Sequence, residues 1–147
     1  MSRQLDTVRR VRQIERDDRQ RALAEALAAL DLLDDRLRKL RHEADAWQRM
    51  RRQRGKGPID VDFLASANRY RWLLAAQQQH FQSERDRLEA EITRRRTALI
   101  DAERQLQSIE KLIDKRRAEA RRAQARLEQR QLDEAAGAAW CRREVNS

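Results

Sequence analysis

The sequence predicts an all-α fold: two long helices forming an antiparallel coiled-coil hairpin, with a C-terminal helical overhang. Three observations carry that reading. Charged residues make up 40% of the 147 and aromatic residues 4%, with three glycines and one proline, which leaves little material for a globular core with turns. The helix breakers are concentrated in one stretch, Arg54-Gly55-Lys56-Gly57-Pro58. On both sides of that stretch, apolar residues recur at heptad spacing.

Each element follows from local chemistry. Residues 1–147 read as a single coiled-coil domain, with helix one over about 3–53, a turn at 54–60, helix two over about 61–136 and a tail at 137–147. Helix one has no Gly or Pro from Leu5 to Met50, and acids precede bases by four residues at Glu15/Arg19, Asp17/Arg21, Asp34/Arg38, Asp35/Lys39 and Asp45/Arg49, with Glu91/Arg95 in helix two. Each such pair adds about 0.2 to 0.5 kcal/mol. Asp60 suits the N-cap of helix two, and Ile59 before it stands where a hydrophobic staple to Leu64 would form. Gly137 reads as the residue that ends the helix.

The heptad seam of helix two runs from Leu64 through Leu74, Phe81, Leu88, Ile92, Leu99, Leu106 and Ile113 to Leu127, apolar at fourteen of nineteen places. In helix one, Leu23, Ala26, Leu30, Leu33, Leu37, Leu40, Ala44 and Trp47 make the matching seam. Leu5, Val8, Val11 and Ile14 form a second stretch offset from it by a phase shift. An antiparallel pairing requires the residue numbers of partners to sum to a constant. A value of 114 pairs Val8 with Leu106, Ala26 with Leu88, Leu33 with Phe81 and Leu40 with Leu74, and sets Arg19 against Arg95. Residues from about 112 to 136 are then left without a partner inside the hairpin. Their stripe of Ile113, Ala120, Ala123 and Leu127 invites another protein, a second copy, or fraying. A rival topology folds residues 61–85 as separate short helices at the tip, because Gln77, Gln78 and Gln79 weaken the seam there.

Several classes of chemistry lack their residues. Apolar runs are only a few residues long, far from the roughly 20 that span a membrane. The N-terminus opens into charged helix without the apolar core of a secretory signal, so the expected location is cytoplasmic. Cys141 is the single cysteine, which excludes an intrachain disulfide and a cysteine-based zinc site. His42 and His80 lie roughly 12 Å apart in the expected register, too far to share a metal. Gly55 and Gly57 lack the strand, the helix and the GK[ST] ending of a phosphate loop. Asp34 and Asp35 sit among basic neighbours on a solvated face, where nothing desolvates them toward acid-base catalysis. The expectation is a non-enzyme with no cofactor and no metal.

Charge and aromatic residues are unevenly placed. The net charge is +9, and the excess reads as concentrated where the two termini meet: Arg3, Arg9, Arg10 and Arg12 beside Lys115, Arg116, Arg117, Arg121 and Arg122. This end calls for an acidic partner. Nucleic acid fits poorly, because acids are interleaved and no aromatic platform accompanies the bases. Near the turn collect Trp47, Met50, Phe63, Tyr70, Trp72 and Leu73, with Phe81 on the flank. Trp47 and Phe81 hold seam positions. Tyr70, Trp72 and Leu73 lie off the seam, where they are either exposed binding anchors or covered by an extra tip helix.

Both chain ends resemble a known family. The opening Leu5-x-x-Val8-x-x-x-Arg12-x-x-Glu15-x-x-x-Arg19 is similar to the start of YscO-type injectisome proteins. The closing Ile109-Glu110-Lys111-Leu112 and Leu127-Glu128-Gln129-Arg130-Gln131-Leu132-Asp133-Glu134 resemble the end of the flagellar export protein FliJ. The resemblance to this FliJ/YscO superfamily covers nearly the whole chain and is weakest at the tip. It implies a cytoplasmic, non-enzymatic central stalk of a type III export apparatus, flagellar or injectisome, peripheral to the inner membrane. The implied partners are a hexameric export ATPase at the joined termini, the cytoplasmic part of the export-gate membrane protein at the tip, and export chaperones. The competing reading is a basic coiled-coil scaffold or nucleic-acid-binding protein.

Overall fold

In the computed structural model, the described residues are 2–55, 57–58 and 60–147. They form two helices, α1 over Ser2–Arg54 and α2 over Val61–Val145, packed against each other as an antiparallel hairpin, with no strand among the described residues. The chain divides into two compact units: a hairpin unit, Arg16–Asp101, and a terminal unit, Met1–Glu15 with Ala102–Ser147.

The core of the hairpin unit is the heptad seam. Ala26, Leu33, Leu37 and Leu40 of α1 and Ala67, Leu74 and Ile92 of α2 are buried. Leu23, Leu30, Ala44, Trp47, Phe81 and Leu88 are half-buried beside them. Polar seam residues survive because their charged heads find partners at the seam edge while their stems pack. Arg85 donates from Nε to Asp34 Oδ1 at 2.7 Å and from Nη1 to Glu89 Oε1 at 2.7 Å. Arg95 donates to the Ala22 carbonyl at 2.5 Å and to Glu91 at 3.1 Å. Arg19 is exposed, so the expected Arg19–Arg95 layer is replaced by these contacts.

The register differs from the expected one. Cross-helix partners Ala22/Arg95 and Trp47/Tyr70 have numbers that sum to 117, and Asp34/Arg85 to 119, so the seam residues stack about 118 rather than 114. In the terminal unit Arg12 donates to Gln105 at 2.7 Å, again a sum of 117, and Ile113 is buried where the 114 register leaves it bare. The phase shift expected at the start of α1 is also absent. Val8, Val11 and Ile14 are 37%, 48% and 55% exposed, while Leu5, Arg9, Arg12 and Arg16 are the half-buried positions. The helix keeps one heptad phase throughout, with arginine stems at the seam, because a shift would require local unwinding of the supercoil.

The helix ends also differ in detail. Asp60 caps α2 as expected, its Oδ1 accepting from the Asp62 amide at 3.1 Å and its carbonyl accepting from the Leu64 amide at 3.1 Å. The staple from Ile59 lies outside the described residues. α2 is continuous from its start, so the rival separate tip helices over 61–85 are absent. It also passes through Gly137, which has no positive φ. One glycine in a helix interior costs about 1 kcal/mol, and Ala135, Ala136, Ala138 and Ala139 around it are the strongest helix formers. The overhang therefore begins later and ends later than expected, with every residue from Glu119 to Ser147 exposed.

Candidate interaction surfaces

The basic residues singled out at the chain ends all fall in the terminal unit, with Arg12 set against Gln105 rather than against the bases at 115–122. The unit's apolar centre is Ala102, Leu106 and Ile113, buried, with Leu5 and Ile109 half-buried. Around it the arginines of α1 are held in place: Arg9 reaches Asp6 at 3.6 Å, and Arg12 reaches Glu15 at 3.0 Å as well as Gln105. Arg3 and Arg10 are exposed. On α2, Lys115, Arg116, Arg117, Arg121 and Arg122 are all exposed, and Lys115, Arg117, Arg121 and Arg122 make no ion pair. Beyond them the helical arm carries exposed Leu127, Leu132, Trp140 and Val145 with nothing over them.

In the hairpin unit, the aromatic residues form a cluster next to the turn. The Trp47 ring lies 4.8 Å from that of Tyr70 and 6.3 Å from that of Phe63, and the Arg54 guanidinium sits 4.9 Å over the Phe63 ring. The expected division into core and surface holds for Trp47 and Phe81, both half-buried, and for Trp72 and Leu73, which are 79% and 56% exposed. Tyr70 is intermediate in behaviour, 37% exposed with one face on Trp47. Met50 is 41% exposed, and no additional helix covers Trp72 among the described residues. The Trp47 indole Nε1 is buried without a hydrogen-bond partner.

A groove of about 510 Å³ opens beside this cluster, floored by Ala44, Trp47 and Leu74 and flanked by Arg51, Arg52 and Arg71. None of these three arginines makes an ion pair. The sequence reading placed the excess charge at the termini alone and missed them. Residues 49–71 carry seven bases, Arg49, Arg51, Arg52, Arg54, Lys56, Arg69 and Arg71, against two acids, Asp60 and Asp62. A charge count centred on the turn finds it. The turn cluster is therefore both aromatic and electropositive.

Among the described residues no group of three or more potential metal ligands comes together, and no helix is long and apolar enough to cross a membrane. His80 pairs with Glu84 at 3.0 Å on an exposed face. Arg85 is raised by its hydrogen bond to Asp34, and the Glu91 carboxyl is lowered by hydrogen bonds from Arg94 and Arg95. Both are surface ion pairs that brace the helices.

The sequence matches the family described as Flagellar FliJ protein over residues 1–145. The chain belongs to that family. Searches of curated proteins and of solved structures found no match. Membership makes this chain a FliJ-type stalk component of flagellar, type III protein export, in a family that is structural rather than known for catalysis.

Proposed function

We propose that this FliJ-family chain is the non-enzymatic stalk that couples a type III export ATPase to its export gate, in the cytoplasm and peripheral to the inner membrane. The observation that carries the reading is the arm of α2: its residues from Glu119 onward are solvent-exposed on every side, with an unpaired basic cluster at Lys115, Arg117, Arg121 and Arg122 at its base. An arm exposed all round suits a ring that surrounds it, and its basic base suits an acidic ring entrance. The gate contacts fall to the turn cluster, where Trp72 and Leu73 are exposed anchors and Arg51, Arg52 and Arg71 flank an apolar groove. That combination selects an acidic segment with an apolar anchor. Export chaperones are further partners of the same reading.

The two surfaces are tested separately in the full chain. Arg117→Glu with Arg121→Glu should weaken binding and stimulation of the purified export ATPase while leaving gate binding intact. Trp72→Ala with Arg71→Glu should do the reverse with the cytoplasmic part of the gate protein. Unchanged ATPase stimulation in the first variant refutes the ring assignment. Tight binding of duplex DNA with a steep log-log salt slope, in place of either protein contact, would favour the basic-scaffold reading instead.

A further inference from the structure

The seam of the hairpin unit has more than one way to close. Antiparallel seams restack whenever one helix slides half a heptad along the other, because the slide carries each layer onto the next set of seam positions. In the observed stacking, near a sum of 118, the layers are Leu23/Arg95, Ala26/Ile92, Leu30/Leu88, Leu33/Arg85, Leu37/Phe81, Leu40/Gln78, Ala44/Leu74 and Trp47/Arg71. Half a heptad away, at 114 to 115, they become Leu23/Ile92, Ala26/Leu88, Leu30/Arg85, Leu33/Phe81, Leu37/Gln78, Leu40/Leu74, Ala44/Arg71 and Trp47/Ala67. The first set has four wholly apolar layers and the second has five. Hydrophobic burial therefore does not separate the two stackings, and polar contacts decide.

Those polar contacts are specific to the observed stacking: Arg85 bonded to Asp34 across the seam, and Arg95 bonded to the Ala22 carbonyl. Both arginines are only half-buried, so the contacts that hold the register are partly open to solvent and modest in strength. α1 ends at Arg54 and α2 begins at Val61, so the midpoint of the connection matches the second stacking, while Arg54 over Phe63 belongs to the first.

We propose that the hairpin unit has two registers half a heptad apart, that the observed one is held by Asp34–Arg85 and Ala22–Arg95 there and by Arg12–Gln105 in the terminal unit, and that α1 slides about 5 Å along α2 between them. Neither helix unfolds in the exchange, and Trp47, which packs on Phe63 and Tyr70 in the observed register, comes opposite Ala67. A ligand that grips the turn cluster in one stacking shifts the register by its difference in affinity for the two. The slide gives the coiled coil a means of carrying a mechanical signal along its length, beyond its use as a rigid rod.

Leu88 faces Leu30 in one register and Ala26 in the other, which gives a direct test. In a full chain with Cys141→Ser, the pair Leu30→Cys/Leu88→Cys should form a disulfide in the observed register. The pair Ala26→Cys/Leu88→Cys should form one only after the slide, because bridged Cα atoms lie about 4.4 to 6.8 Å apart. Under a thiol-exchange buffer both should close, and adding Asp34→Asn should speed closure of the second pair several-fold. Closure of the first pair alone, with or without Asp34→Asn, overturns the proposal. Spin labels at exposed Lys39→Cys and Ala90→Cys leave the seam untouched and answer the same question if a core cysteine prevents folding. Two distance populations separated by roughly 5 Å support the slide, with the longer favoured by Asp34→Asn; a single population in both backgrounds refutes it.

Discussion

Truncating Leu106 and Val11, each to alanine, separates the observed register from the one expected from apolar matching. Leu106 is 4% exposed at the centre of the terminal unit, and Val11 is 48% exposed on α1. Leu106→Ala removes a buried isobutyl group from a seam with helices on only two sides. Partial collapse of the site and the gain in helix propensity place the cost at about 2 to 3 kcal/mol, in the lower part of the range for buried leucines. Val11→Ala loses packing of a side chain that is half in water, about 0.5 to 1 kcal/mol, and regains roughly 0.5 kcal/mol because alanine is the better helix former. Its net effect should lie within about 0.5 kcal/mol of zero. Urea denaturation followed by far-ultraviolet circular dichroism reads both, provided the slope of the transition is unchanged. If Val11→Ala costs as much as Leu106→Ala, then Val11 lies in the seam, and the phase reasoning for the start of α1 is wrong.

Three further outcomes follow from the same packing. Deleting residues 119–147 should leave the denaturation midpoint of the remainder unchanged, because every side chain removed is exposed; a large drop would mean the arm packs on the seam. Gly137→Ala should raise arm helicity and stabilise it locally by about 0.5 to 1 kcal/mol, since the added methyl meets nothing within 4 Å and φ is already helical; reduced ellipticity would count against a continuous α2. Glu91 should contribute to acid sensitivity. Its carboxyl is held below the usual range by Arg94 and Arg95, so its stabilising effect is complete above the unfolded value and fades as pH falls through the lower folded one. Glu91→Gln should flatten the acid limb of a plot of melting temperature against pH, and an unchanged limb would show that the carboxylate contributes nothing.

The fold was legible because its determinants are periodic. Leu64, Leu74, Phe81, Leu88, Ile92, Leu99, Leu106 and Ile113 recur at 3.5-residue spacing, and each is buried or half-buried in the structure. The turn was legible because Gly55, Gly57 and Pro58 stand together with Asp60 as a cap behind them. Register was harder for a reason of energy rather than pattern. Matching Val8 with Leu106 and Ile14 with Leu99 gains apolar contact, but it needs a break in heptad phase that the helix does not make. Arg9, Arg12 and Arg16 take the seam instead, as amphipathic stems whose charged ends reach Asp6, Glu15 and Asp17. A residue's polarity thus misreports its position whenever its stem can do the packing.

The candidate surfaces show the converse limit. Sequence reasoning located Trp72 and Leu73 outside the seam, and both are exposed, yet it treated the turn as aromatic and the termini as basic. In space, Arg51 and Arg52 at the end of α1 and Arg71 on α2 converge on the groove beside Trp47, although they are separated by about twenty residues in the chain. Antiparallel folding sums the charge of two segments that a linear window counts apart. The bases of residues 3–12 and those of 115–122 fall in one terminal unit, but the observed stacking sets Arg12 beside Gln105, short of the bases at 115–122. Positive charge in both units is what the proposed grip on acidic partners needs, and half-open polar contacts beside an apolar seam are what the proposed slide between registers needs.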